Sequence, residues 1–228
     1  MRFQDAAPDA RAVVYAGIQA DPLVARAAEL LERASLEQRV LARAVMNGES
    51  TDAGAWRAMF PTLFGAGADA ATRATSEEIL AAALNVAERG EQVRSQFRGA
   101  IVESLTALLL ERRAGDASVR RERRLLFDGV RAEIHPYDVT VERPGHAEAY
   151  DCKWGARGIG ADVLHQLDDA RAHAEDEDEP LVVALVVFDA RLSCDVRLDR
   201  QTAPTGGIGL VTIETLDELA TRPAVPLP

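Results

Sequence analysis

Apolar residues recur at three- and four-residue spacing over about the first ninety positions, and strand-like alternation joins the helical spacing only after Arg94. The chain therefore reads as a helical region over 1–90 followed by a mixed domain over 91–228. Asp21-Pro22 is a helix start, with an acceptor at the N-cap and proline in the first turn, and Ser35-Leu36-Glu37-Gln38 has capping-box spacing. Two helices are expected within 21–47. Residues 48–74 mix Gly, Pro, Thr and aromatic residues and predict a loop with short helical turns. Ser76-Glu77-Glu78 predicts a third helix ending near Gly90.

One long helix is expected over 91–113, with Phe97, Ile101, Leu105 and Leu108 as its apolar stripe. Between Arg98 and Glu111 its single ionisable side chain is Glu103, so this stretch reads as buried on nearly every side. A buried carboxylate needs compensation. It is either half of a structural ion pair with an arginine or an acid aimed into a site. Strands follow at 119–127, 132–142 and 147–154, joined by turns at Asp128-Gly129 and Arg143-Pro144-Gly145-His146, which makes three antiparallel neighbours. Side chains alternate along a strand, so Asp151 and Lys153 share one face while Tyr150, Cys152 and Trp154 take the other. Asp138 lies in the middle strand. Beyond the glycine-rich stretch 155–160 come a helix over 161–174, a fully apolar strand over 181–188 and a last strand over 209–212.

Composition narrows the function. The 228 residues are 47% apolar and 28% charged, enough for one large domain or two small ones. The longest apolar run, 181–188, is far too short to cross a bilayer, and no basic head precedes an apolar run at the N-terminus, so neither a membrane role nor a leader is expected. Cys152 and Cys194 form no metal-like pair or disulfide framework, which points to a reducing compartment, the cytoplasm. His135, His146, His165 and His173 show no metal spacing. The net charge of -11 excludes unspecific coating of nucleic acid, so any such contact must be local. The candidate is an arginine run: Arg112, Arg113, Arg120, Arg121, Arg123, Arg124 and Arg131. It either holds phosphates without reading bases or is a solvated face. The loop carrying Arg157 either lets backbone approach a phosphate or is a plain connection.

Among 26 basic residues Lys153 is the one lysine. Arginine does not replace lysine where a compact, movable point charge must sit beside a carboxylate. With Asp138 on a neighbouring strand and Asp151 two residues before it, Lys153 completes a compact cation site, unless these are the alternating charges of an exposed strand face held in a cross-strand surface ion pair. Two carboxylates suit a hard cation, and a neighbouring ammonium suits the charge that develops on a phosphoryl group.

Glu103 on the first helix, Asp138 on the second strand and Asp151-Cys152-Lys153 on the third, in the order helix, three strands, helix, two strands, resemble the PD-(D/E)xK phosphodiesterase superfamily, the restriction-endonuclease-like fold. The resemblance covers 91–212. Pro136-Tyr137-Asp138 stands where the family name has Pro-Asp. It implies an α/β restriction-endonuclease-like core and a Mg²⁺-dependent nuclease, in which Mn²⁺ may substitute and DNA is the expected substrate. Asp138 and Asp151 would be metal ligands with the main-chain carbonyl of Cys152, Glu103 the helix-borne acid and Lys153 the catalytic lysine. Arg120, Arg121, Arg123, Arg124 and Arg157 would contact nucleic acid. Gln166 would be an accessory residue, although Ala170 stands where some relatives have tyrosine. The rival is a nuclease-fold protein that binds nucleic acid or a protein partner without cutting. In either case the N-terminal helices would serve a homodimer or companion-protein contact.

Overall fold

Asp21 and Ser35 start helices as their spacing predicts. The computed structural model of the protein describes residues 1–228 apart from 7–9, 49, 128–129, 132–134 and 228, with the backbone alone for 10–12 and 130–131. The chain divides into a helical unit, Ala10–Leu105, and a sheet unit made of Met1–Asp9 with Thr106–Pro228. The division therefore falls inside a helix rather than at 90/91, and the first residues belong with the sheet.

In the helical unit, α1 (Ala10–Gln19) is followed by α2 (Pro22–Glu32) and α3 (Leu36–Asn47). Asp21 accepts from the Leu23 amide at 2.8 Å, and the Ser35–Gln38 capping box closes with bonds of 2.9 and 3.3 Å. The segment expected as a loop contains α4 (Ala53–Met59), capped by Asp52, and α5 (Pro61–Phe64). The next helix, α6 (Ala70–Ala87), begins before Ser76 because Asp69 is its cap, accepting from the Thr72 amide at 2.8 Å. Ser76 instead donates back to the Thr72 carbonyl at 2.7 Å, the usual resort of a serine inside a helix. Burial of Val24, Leu31, Leu41, Val45, Ile79 and Val86 supplies the core between α2, α3 and α6.

The long helix α7 (Glu91–Ala114) runs from one unit into the other, and from Ala100 to Ala107 every side chain is buried. In the sheet unit, β1 (Arg2–Asp5), β2 (Ser118–Phe127), β4 (Tyr137–Arg143) and β5 (His146–Lys153) are antiparallel neighbours in that order, with β3 (Val130–Arg131) paired to the end of β2. Then β6 (Leu181–Val187) and β7 (Gly209–Val211) continue the sheet in parallel with β5. The sheet is thus mixed, and its antiparallel part is wider by β1 and the short β3 than the three strands expected. The expected strand at 132–142 is observed over Tyr137–Arg143, and 132–134 and the Asp128-Gly129 turn lie outside the described residues. The second hairpin is observed: Arg143 faces His146, and Gly145 has the positive φ of 73° that a turn after Pro144 asks of it.

Parallel strands need a crossover. α8 (Ala161–Asp176) supplies the first, and α9 (Arg191–Leu198), a helix not expected from the sequence, lies in the second. On one face of the sheet Leu164, Leu167 and Ala170 of α8 pack against Leu125, Ala149 and Leu185. On the other face the C-terminal turns of α7 meet β5, where the Cys152 thiol lies 3.5 Å from the Thr106 hydroxyl and Arg113 reaches Glu148 and Tyr150. The alternation predicted for β5 is the one observed.

Candidate active site

The β4–β5 ladder runs from Arg143 opposite His146 to Val139 opposite Tyr150. Past it, the Cys152 amide donates to Oδ2 of Asp138 at 2.5 Å, so a side chain takes the acceptor's place and lets the strands part. In a strand the amide and carbonyl of one residue point to the same side, so the Cys152 carbonyl also turns toward Asp138. β5 meanwhile stays paired with β6 as far as Lys153 opposite Val187. The site thus lies at the carboxyl end of parallel strands, beside a split in the sheet, which is where open α/β sheets hold ligands.

Asp151 is buried, and its Oδ1 forms an ion pair with the Lys153 ammonium. Burial pulls the Lys153 pKa down, and the carboxylates of Asp151 and Asp138 more than offset this, so it is raised overall. Lys153 therefore stays protonated at neutral pH. Its stem is held in place. A Cβ added at Gly158 would lie 3.0–3.1 Å from its Cβ, Cγ and Cδ, so the 3₁₀ turn Ala156–Gly158 lies directly over the methylene chain. That turn is anchored by the Ala156 amide donating to Asp189 Oδ2 at 3.0 Å. Beyond Lys153, Trp154 stacks on Phe188 with ring centroids 5.0 Å apart. The glycine-rich stretch thus makes room for the lysine. Gly158→Val is expected to displace the ammonium, lowering any activity that needs Lys153 by more than about tenfold through a shift of order 1 Å, while thermal unfolding changes little because the turn is at the surface.

Glu122 was not singled out by its sequence, where it stands inside the arginine run. It interrupts β2 with φ of 53°, between the pairs Arg121–Val139 and Arg123–Tyr137, a conformation uncommon for a glutamate. One of its carboxylate oxygens lies within 4.8 Å of one from Asp138. Two oxygens on one hard cation at ~2.0–2.6 Å can be no more than about 5 Å apart, so this pair fits such an ion. Asp151 is outside that pair, its Oδ1 being taken by the Lys153 ammonium. Glu103, in the helical unit, is 4% exposed and is not an isolated carboxylate: it accepts from the Tyr15 hydroxyl at 2.5 Å and from Gln19 Nε2 at 2.8 Å. Glu103 and Thr106 are three residues apart and share a face of α7.

The remaining predicted residues separate. Gln166 is buried, and its amide clamps the main chain of His135, accepting from its N–H at 3.0 Å and donating to its carbonyl at 3.1 Å. It holds the approach to β4, so Gln166→Ala is expected to cost about 1–3 kcal/mol and to speed hydrogen exchange of the His135 amide. Arg123 is occupied by Glu142 and Asp5, and Arg121 and Arg124 have partners of their own. Arg120 is exposed and pairs in register with Thr140, toward the hairpin, whereas Arg157 is exposed in the turn over Lys153. The arginine run is therefore strung along β2 and is not a single patch. No helix among the described residues is long and apolar enough to cross a membrane. Comparison with protein-family models, curated proteins and solved structures finds no match for the chain.

Proposed function

We propose that the sheet unit is a metal-dependent phosphodiesterase of the restriction-endonuclease-like type that cleaves nucleic acid, with DNA as the preferred substrate. The observation that carries this reading is the meeting of Asp138, Asp151 and Lys153 where β4 parts from β5. Mg²⁺ or Mn²⁺ would be held by Asp138 and Asp151 with the Cys152 carbonyl, and Glu122 adds an acid to this set. When bound, the ion acidifies water and offsets charge on phosphoryl oxygens. Lys153, kept protonated by its two carboxylates, is unsuited to act as a base. It would instead orient the attacking water or donate to a phosphoryl oxygen as charge develops there. Asp151 holds the ammonium in position, Gly158 leaves it room, and Arg157 lies near enough in sequence to meet the phosphate that follows. Glu103, the helix-borne acid of the resemblance, belongs to the helical unit, where Tyr15 and Gln19 hold it.

The test is hydrolysis of single-stranded, double-stranded and branched DNA and of RNA with Mg²⁺ or Mn²⁺, alongside Asp151→Ala. Cleavage that requires the metal and disappears in the variant supports the proposal. Metal binding without cleavage of any substrate would favour a protein that binds nucleic acid without cutting. Absence of metal binding would sink both the chemistry and the ligand assignment.

A further inference from the structure

Away from Asp138 and Lys153, the β4–β5 hairpin and β1 border a cavity of about 660 Å³. Arg143, on its wall, is five residues from Asp138 along β4, about 17 Å at the rise of a strand. β1 and the hairpin are not paired with each other; β2 joins them, pairing with β4 from Ser118 to Arg123 and with β1 from Arg123 to Leu126. The wall carries four arginines from three strands: Arg2 of β1, Arg120 and Arg123 of β2, and Arg143 of β4.

Their charges are not used alike. Arg123 donates to Glu142 at 2.7 and 3.2 Å and also pairs with Asp5, so one guanidinium is shared by two of the lining acids. Arg2, Arg120 and Arg143 are exposed and hold no ion pair among the described residues. The one further acid on the wall is Glu179. The four guanidinium groups and the Met1 ammonium, which pairs with Glu179, stand against the carboxylates of Asp5, Glu142 and Glu179 and leave this concave surface with two excess positive charges, in a chain whose net charge is -11. Excess positive charge in an acidic protein is not needed for solubility. Guanidinium forks match phosphate oxygens in pairs. A phosphate monoester carries about -1.5 to -2 near neutral pH, which balances this excess better than a carboxylate or a phosphodiester does.

We infer that this cavity binds a phosphate monoester, carried either by a free small molecule such as a nucleotide or by the phosphorylated end of a nucleic-acid strand. The site does not rest on the nuclease reading, because none of its residues belongs to the Asp138–Asp151–Lys153 cluster. Isothermal titration in the absence of divalent metal tests it, using a deoxynucleoside 5′-monophosphate, the matching nucleoside, and a short oligonucleotide with and without a 5′-phosphate. The expected result is binding by the monophosphate and none by the nucleoside. Arg120→Ala with Arg143→Ala should weaken it about ten- to hundredfold, and Lys153→Ala should leave it unchanged. Stronger binding of the phosphorylated oligonucleotide than of the free monophosphate would assign the site to strand ends, and the reverse to free nucleotides. Nucleoside and monophosphate binding alike, no binding at millimolar ligand, or a double arginine variant that binds like the native chain would each overturn the inference.

Discussion

Lys153→Ala is expected to lower metal-dependent phosphodiester hydrolysis by about 10²–10³-fold, the usual loss when one fixed donor to a developing charge is removed. Lys153→Arg should recover little of it. A guanidinium is larger and planar, and the space over the stem is already closed by the turn at Gly158. On the proposed mechanism the loss should appear in kcat more than in KM, since the ammonium would meet charge that grows during the reaction. Removing the ammonium also leaves the buried Asp151 carboxylate without its counter-ion. Melting temperature measured with and without Mg²⁺ separates that structural effect from the chemical one, because a cation would replace the missing charge. Activity that survives Lys153→Ala within a factor of two would remove this residue from the mechanism.

The largest effect on stability should come from Arg113→Ala. Arg113 forms a fork on Glu148, with Nη1 to Oε1 at 2.9 Å and Nη2 to Oε2, while Nη2 also donates to the Tyr150 hydroxyl at 3.0 Å and Nε to the Leu219 carbonyl at 2.7 Å. The Glu148 side chain is fully buried. Removing the arginine strands that carboxylate, which should cost about 3–5 kcal/mol and lower the melting temperature by roughly 10 °C for a chain of this size. Burial pushes the Glu148 pKa up, but Arg113 and the Tyr150 hydroxyl outweigh it, so the folded value lies below the ordinary one. Its stabilisation is therefore complete above the unfolded value of about 4.3 and is lost as pH falls through the lower folded value. Denaturant titrations between pH 3 and pH 7 should show this fall in the native chain and a flatter profile in Arg113→Ala. Equal slopes would show that the pair does not govern acid stability.

Much of the architecture was legible where a local rule decides it. Asp21, Ser35 and the Pro144-Gly145 turn act through neighbours within four residues, and the apolar strand at 181–188 and the long helix α7 are marked by their own composition. Asp151 and Lys153 on one face with Tyr150 and Cys152 on the other followed from the pleat alone. Three elements escaped. α1 has no acid in its first turn and no base in its last, α9 is a short crossover helix with one buried residue, Cys194, and β1 is four residues whose pairing depends on β2 being present. Arg113 was grouped with a surface run because nothing near it in sequence reveals a buried glutamate 35 residues away.

The order of elements, the lone lysine and the carboxylate two residues before it were determined by the sequence, because strand alternation and helix capping are short-range and act before any tertiary contact forms. The folded chain decided which charges meet. It turned Asp138 onto the Cys152 amide, brought Glu122 beside Asp138 through a left-handed backbone and placed Gly158 over Lys153. It also divided the arginines between a buried pair, a surface network and a cavity wall. Such outcomes depend on strands distant in sequence coming into register, and on the cost of burying a charge, which has a value only once the surroundings are in place.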